Sequence, residues 1–122
     1  LISLAPFYFQ PPALQTWEMS STVYYKPDTQ SPAGSIAYLS IVDFNNNYVK
    51  TVSHNNVDDS YSSINIDALI NTNSGTFSII FQSTKPGNIL NVMSSVPDTF
   101  APITAPNQTT WVYGHYLGPT PT

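Results

Sequence analysis

Near the end of the chain six residues read Trp111-Val112-Tyr113-Gly114-His115-Tyr116. On a β-strand successive side chains point to opposite faces, so Trp111, Tyr113 and His115 share one side while Val112, Gly114 and Tyr116 share the other. Such a row offers flat ring faces together with a hydroxyl and ring nitrogens. A sugar suits it, because its C–H face stacks on an aromatic ring while its hydroxyls meet the polar tips. The competing reading places Trp111 and Tyr113 in the core of a small β-domain. A second candidate surface is Asn45-Asn46-Asn47 followed by Tyr48. Amides both donate and accept, which again matches hydroxyls. The plain alternative is a tight turn, since Asn tolerates the left-handed conformation. The candidate glycan-binding residues are therefore Trp111, Tyr113, His115, Asn45, Asn47 and Tyr48. Trp17, beside Glu18 on an expected edge strand, carries the same ambiguity between core and surface.

Other chemistries find little material. There are two histidines, His54 and His115, and no cysteine, which is too few ligands for a typical zinc or iron site. No Gly-x-Ser-x-Gly elbow occurs, and the glycines are scattered rather than gathered into a phosphate-binding loop. Asp58 and Asp59 are adjacent, which suits a helix start better than the separated carboxylates of a glycosidase. The expectation is a non-enzymatic protein with no metal and no cofactor.

Composition points the same way. Three lysines (Lys26, Lys50, Lys85) and no arginine stand against seven acids, for a net charge of −4. Nucleic-acid binding needs several cations to displace condensed counterions, so it is not expected. The polarity comes instead from 15 Ser, 13 Thr and 11 Asn, a surface of hydroxyls and amides. No apolar run approaches the roughly 20 residues of a membrane-spanning helix, so membrane insertion is not expected. The start, Leu-Ile-Ser-Leu-Ala-Pro-Phe, reads as a piece cut from a longer polyprotein or multidomain chain.

The elements that must position these residues are mostly strands. A chain of 122 residues suits one domain, spanning 1–122, with extended Pro-rich ends at about 1–14 and 97–108. Residues 17–26 form one strand. Residues 35–44, an asparagine turn and 48–54 form a hairpin. Residues 76–83 and 89–94 flank Lys85-Pro86-Gly87-Asn88, which suits a type II turn and predicts a second hairpin. Residues 109–116 form the last strand. Tyr61, Ile64 and Ala68 share a helical face, with acids before them and Gly75 after. This predicts one helix within about 60–73. The rival is a strand at 62–66 followed by a helical turn at 67–72. The expected fold is mainly β with one helix, an antiparallel sheet clasping it. A galectin-like or jelly-roll β-sandwich is the alternative.

Phe9-Gln10-Pro11-Pro12 followed by Trp17, and an aromatic strand running from Trp111 to Tyr116 into Gly118-Pro119, resemble the head domain of the rotavirus outer-capsid spike protein. That resemblance implies attachment to host cells by glycan binding, at the virion surface, with the rest of the spike protein as partner. Many such heads are galectin-like sandwiches. The shorter length, the expected helix and the missing arginine are similar instead to the group B heads. Those clasp a helix and bind neutral galactose-containing glycans of the N-acetyllactosamine type. Two other classes compete. One is a carbohydrate-binding module or adhesin of a secreted microbial protein, suggested by Ile66-Asp67-Ala68-Leu69-Ile70. The other is a structural capsid or pilus subunit, whose aromatic residues would be buried between copies.

Overall fold

The computed structural model describes residues 2–29, 31–43, 45–72, 76–90, 100–103 and 109–120. Among them there is no helix. Nine strands follow in order: β1 (Ile2–Phe9), β2 (Gln15–Pro27), β3 (Ser35–Val42), β4 (Tyr48–Asn56), β5 (Ser62–Thr72), β6 (Phe77–Ser83), β7 (Gly87–Leu90), β8 (Phe100–Ile103) and β9 (Trp111–Pro119). They form two sheets. One has the order β1-β6-β3-β4. The other has the order β5-β2-β7-β8, with β9 also paired to β2. Among the described residues all pairings are antiparallel except β7 with β8.

The core lies between the sheets and follows from the period-2 pattern of each strand. Ala37, Leu39 and Ile41 of β3 and Phe77, Ile79 and Phe81 of β6 meet Met19, Val23 and Tyr25 of β2 and Ile64, Ile66 and Ile70 of β5. Tyr25 is fully buried while Tyr24 is half-buried, as opposite faces of one strand require. Burial pushes the Tyr25 phenol above its usual value, partly offset by the nearby Ser62 and Asn56 side chains. Its hydroxyl lies within their influence without a hydrogen bond of good geometry.

The architecture is thus an all-β sandwich, in line with the alternative above and against a sheet clasping one helix. The stretch expected to be helical at 60–73 is the strand β5. Its buried residues are Ile64, Ile66, Ile70 and Thr72, and Asn65, Asp67, Leu69 and Asn71 between them face solvent. Two β-branched isoleucines alternate with polar residues here, and eleven consecutive residues pair with β2. That pairing overrides the helical spacing of Tyr61, Ile64 and Ala68. Asp58 and Asp59 start no helix. Asp58 Oδ1 accepts from the Ser60 backbone and hydroxyl, forming a local turn. Asp59 sits at φ 57°, buried, with Oδ2 2.6 Å from the Lys85 ammonium. Lys85 also donates to the Pro32 carbonyl at 2.9 Å, so the pair clamps three loops at one end of the sandwich.

The second expected hairpin is also replaced. β6 and β7 lie in different sheets, and Lys85-Pro86-Gly87 carries the chain across the sandwich. Gly87 faces Pro27 in the β2–β7 register, and a Cβ there would overlap the backbone of Lys26 and Pro27. Glycine therefore serves close strand approach and not turn conformation. Residues 91–94 of that expected hairpin lie outside the described residues, as do 97–99 and 104–108 of the second Pro-rich stretch. In the first stretch, β1 is an edge strand paired with β6. The hairpin over 35–54 does form, as β3 and β4.

Candidate functional site

β9 is fastened to β2 along its length. Trp111 stands opposite Thr22, Tyr113 opposite Ser20, His115 opposite Glu18, and Tyr116 opposite Trp17 after Gly114 opposite Met19. Two side chains help fix the start of β9: Ser21 Oγ donates to the Trp111 carbonyl at 2.7 Å, and the Tyr24 amide donates to Thr110 Oγ1 at 3.0 Å. On the other side of β2, Asn65 stands opposite Thr22, Asp67 opposite Ser20, and Leu69 opposite Glu18. Directly opposed residues of antiparallel strands share a face. The outer face of this sheet therefore carries three rows: Trp111–Thr22–Asn65, Tyr113–Ser20–Asp67 and His115–Glu18–Leu69.

Adjacent strands lie about 4.8 Å apart and alternate residues about 6.8 Å apart, so the nine positions cover a patch of about 10 by 14 Å. Its aromatic column faces solvent: Trp111 is 37% exposed and Tyr113 56%, and His115 is exposed as well. The core reading of Trp111 and Tyr113 does not hold, because the core side of β9 belongs to Val112 and Gly114. A Cβ on Gly114 would lie 2.9 Å from Met19 Sδ and 3.3 Å from Trp17 Cε3, so glycine lets those inner side chains press against the strand.

The central and far columns supply polar groups. Asn65 Nδ2 donates to Thr22 Oγ1 at 2.8 Å and to the Ser21 carbonyl at 3.0 Å, which fixes the amide plane and leaves its oxygen as an acceptor. Glu18 and Asp67 place two carboxylates on the face. Beside them Lys50, reaching over from β4, donates to the Asp67 carbonyl at 2.5 Å. Glu18, Lys50, Asp67, Ala68 and Leu69 line a shallow groove of about 290 Å³ there.

Trp17 is on the other side of the same sheet, and β2 is a central strand, not an edge. Its indole donates to Gln15 Oε1 at 2.9 Å and packs 5.6 Å from the Tyr116 ring. With Pro11, Pro12, Met19, Val112 and Gly114 it lines an apolar cleft of about 410 Å³ on the inner side of β9.

The asparagine turn lies apart, on the other sheet, between β3 and β4. Asp43 Oδ1 accepts from the backbone amides of Asn45 and Asn47, both at 2.9 Å, and Asn47 Nδ2 reaches Asp43 Oδ2 at 3.4 Å. Asn46 takes φ 62°. The turn thus consumes the Asn47 amide internally. Asn45 and Tyr48 are exposed, but they belong to the β3–β4 end of one sheet while Trp111, Tyr113 and His115 belong to the other. The six candidate residues therefore divide into two surfaces.

Ser20, Thr22, Asn65 and Asp67 went unread from sequence. The signal present was polar alternation, Glu18-x-Ser20-x-Thr22 and Asn65-x-Asp67, but not which strands would lie side by side. No family model matches this chain, and no curated protein matches it.

Proposed function

We propose that this chain is a non-enzymatic glycan-binding domain whose site is the outer face of β9, β2 and β5. The observation that carries the reading is the exposed column Trp111, Tyr113, His115 set beside Ser20 and Glu18, with Thr22 buried in the row between Trp111 and Asn65. Stacking surface and hydrogen-bonding groups stand next to each other on a rigid sheet of about disaccharide dimensions. The carboxylates of Glu18 and Asp67 accept from sugar hydroxyls and, outnumbering the Lys50 ammonium beside them, leave the face net negative, which disfavours the carboxylate of a sialic acid or a sulfate. Neutral galactose-containing glycans are the ligand class that fits.

Such a face is open and gains little per hydroxyl after desolvation, so single-site affinity is weak, in the high micromolar to millimolar range (about −4 to −5 kcal/mol). Many copies on one particle would raise it by avidity. That pattern suits attachment of a non-enveloped virus to host cells through its spike, with the rest of the spike protein as partner.

The test is a broad glycan array with the purified domain, followed by titration of any hit against Trp111→Ala and Tyr113→Ala. Binding to neutral galactose-terminated glycans that both folded variants lose supports the reading. Binding only to sialylated or sulfated glycans, or to none, overturns it.

A further inference from the structure

Among the described residues five strands lie at the edges of the two sheets: β1 and β4 in one, β5, β8 and β9 in the other. An unpaired flat edge is a template for another strand, and folded proteins blunt it with proline, bulges, charge or brevity. Four of these edges are blunted. β1 contains Pro6 and a register shift between Leu4 and Phe7. β4 carries Lys50 and β5 carries Asp67, and the Lys50 ammonium closes on the Asp67 carbonyl across that side of the sandwich. β8 is four residues long and contains Pro102.

β9 has none of these devices over most of its length. It contains no Asp, Glu, Lys or Arg, and its first proline is Pro119. It pairs regularly with β2 from Trp111 to Tyr116, and the shift at Leu117 comes only after that. Among the described residues only β2 pairs with it. Trp111, Tyr113, Tyr116 and Leu117 along it are all exposed.

We propose that a second copy of this chain pairs with β9 edge to edge, antiparallel about a two-fold axis. Self-pairing of a strand without Asp, Glu, Lys or Arg sets no two such side chains opposite one another, and a two-fold arrangement closes without further growth. Pairing centred on Tyr113 sets Trp111 of each copy opposite His115 of the other. The two sheets then become one, and the aromatic columns of both copies stand side by side on one face. A strand pair of this length buries less than the roughly 1,200 Å² of a stable interface, so the dimer forms at high concentration or where copies are tethered together. The inference does not rest on glycan binding, and its test needs no glycan.

Sedimentation equilibrium of the 122-residue chain from about 10 µM to about 1 mM covers the affinities such an interface gives. The expected result is a monomer–dimer equilibrium. Tyr113→Lys sets two ammonium groups against each other near the axis and weakens it at least about tenfold. Val57→Lys, at an exposed position between β4 and β5, leaves it unchanged. The chain has no cysteine, so single-cysteine variants give an independent reading. On mild oxidation Tyr113→Cys forms a disulfide-linked dimer faster than Val57→Cys. A monomer throughout the range, a dimer indifferent to Tyr113→Lys, or equal cross-linking of the two cysteine variants overturns the proposal. If Tyr113→Lys fails to fold by circular dichroism, the cysteine comparison decides alone.

Discussion

The asparagine turn and the outer face of β9, β2 and β5 are made of the same kinds of residue, amides and rings, and they differ in where their hydrogen-bonding capacity goes. In the turn, Asp43 gathers the amides of Asn45 and Asn47 and part of the Asn47 side chain. Those polar groups hold the chain's own reversal. On the sheet the backbone bonds are satisfied strand to strand, so the side chains of Ser20, Glu18 and Tyr113 are left to face outward. A polar residue type is therefore a poor guide to binding by itself. What matters is whether local backbone geometry has already used its donors and acceptors.

That contrast can be broken most severely at Trp111. Trp111→Ala should weaken binding of a neutral glycan by about 2 kcal/mol or more, as truncation of an aromatic anchor does. Its stability should fall by about 1–2 kcal/mol, because Trp111 is only 37% exposed and its covered part loses its contacts. Titration and a thermal melt on the same sample check both halves. Next in size, Asp43→Ala should lower stability by about 1 kcal/mol through loss of the turn's acceptor while leaving glycan affinity unchanged; urea unfolding measures the first. Any loss of affinity in this variant would show that the two surfaces are coupled.

A smaller effect is expected with pH. The Ser60 hydroxyl and amide hold the Asp58 carboxyl below its ordinary value of 3.8. A lowered folded-state value means that its contribution is present above the unfolded value and lost as pH falls through the lowered one. Asp58→Asn should therefore lower stability slightly near neutrality, where the contribution is present, and flatten the profile below about pH 4, so that the difference from the parent chain disappears in acid. Asn45→Ala should change least: its side chain is exposed, so stability should move by less than about 0.5 kcal/mol and affinity not at all. A clear loss of affinity there would return the turn to the site.

Legibility in the sequence followed the range of the interactions. The β3–β4 hairpin was readable because its pattern and its turn are contiguous, and the row Trp111, Tyr113, His115 because period 2 is a local property. The reading of 60–73 as a helix failed where Leu69 and Ile70 interrupt the alternation and mimic a helical face. The strand was decided by β2, about fifty residues earlier in the chain. Lys85-Pro86-Gly87 has turn chemistry, yet the sandwich uses it to change sheets. The polar neighbours of the aromatic row, Ser20, Thr22, Asn65 and Asp67, depend on the registers of two long-range pairings. Neither register is written in any one segment.

The most direct test is to follow backbone amide shifts of the ¹⁵N-labelled chain during titration with N-acetyllactosamine. The account predicts saturable shifts at Trp111, Tyr113 and His115, at Glu18, Ser20 and Thr22, and at Asn65 and Asp67, with Asn45 to Tyr48 unmoved. Shifts centred on Asn45 to Tyr48, shifts confined to the Pro11, Trp17 and Met19 cleft, or none at millimolar glycan would contradict it.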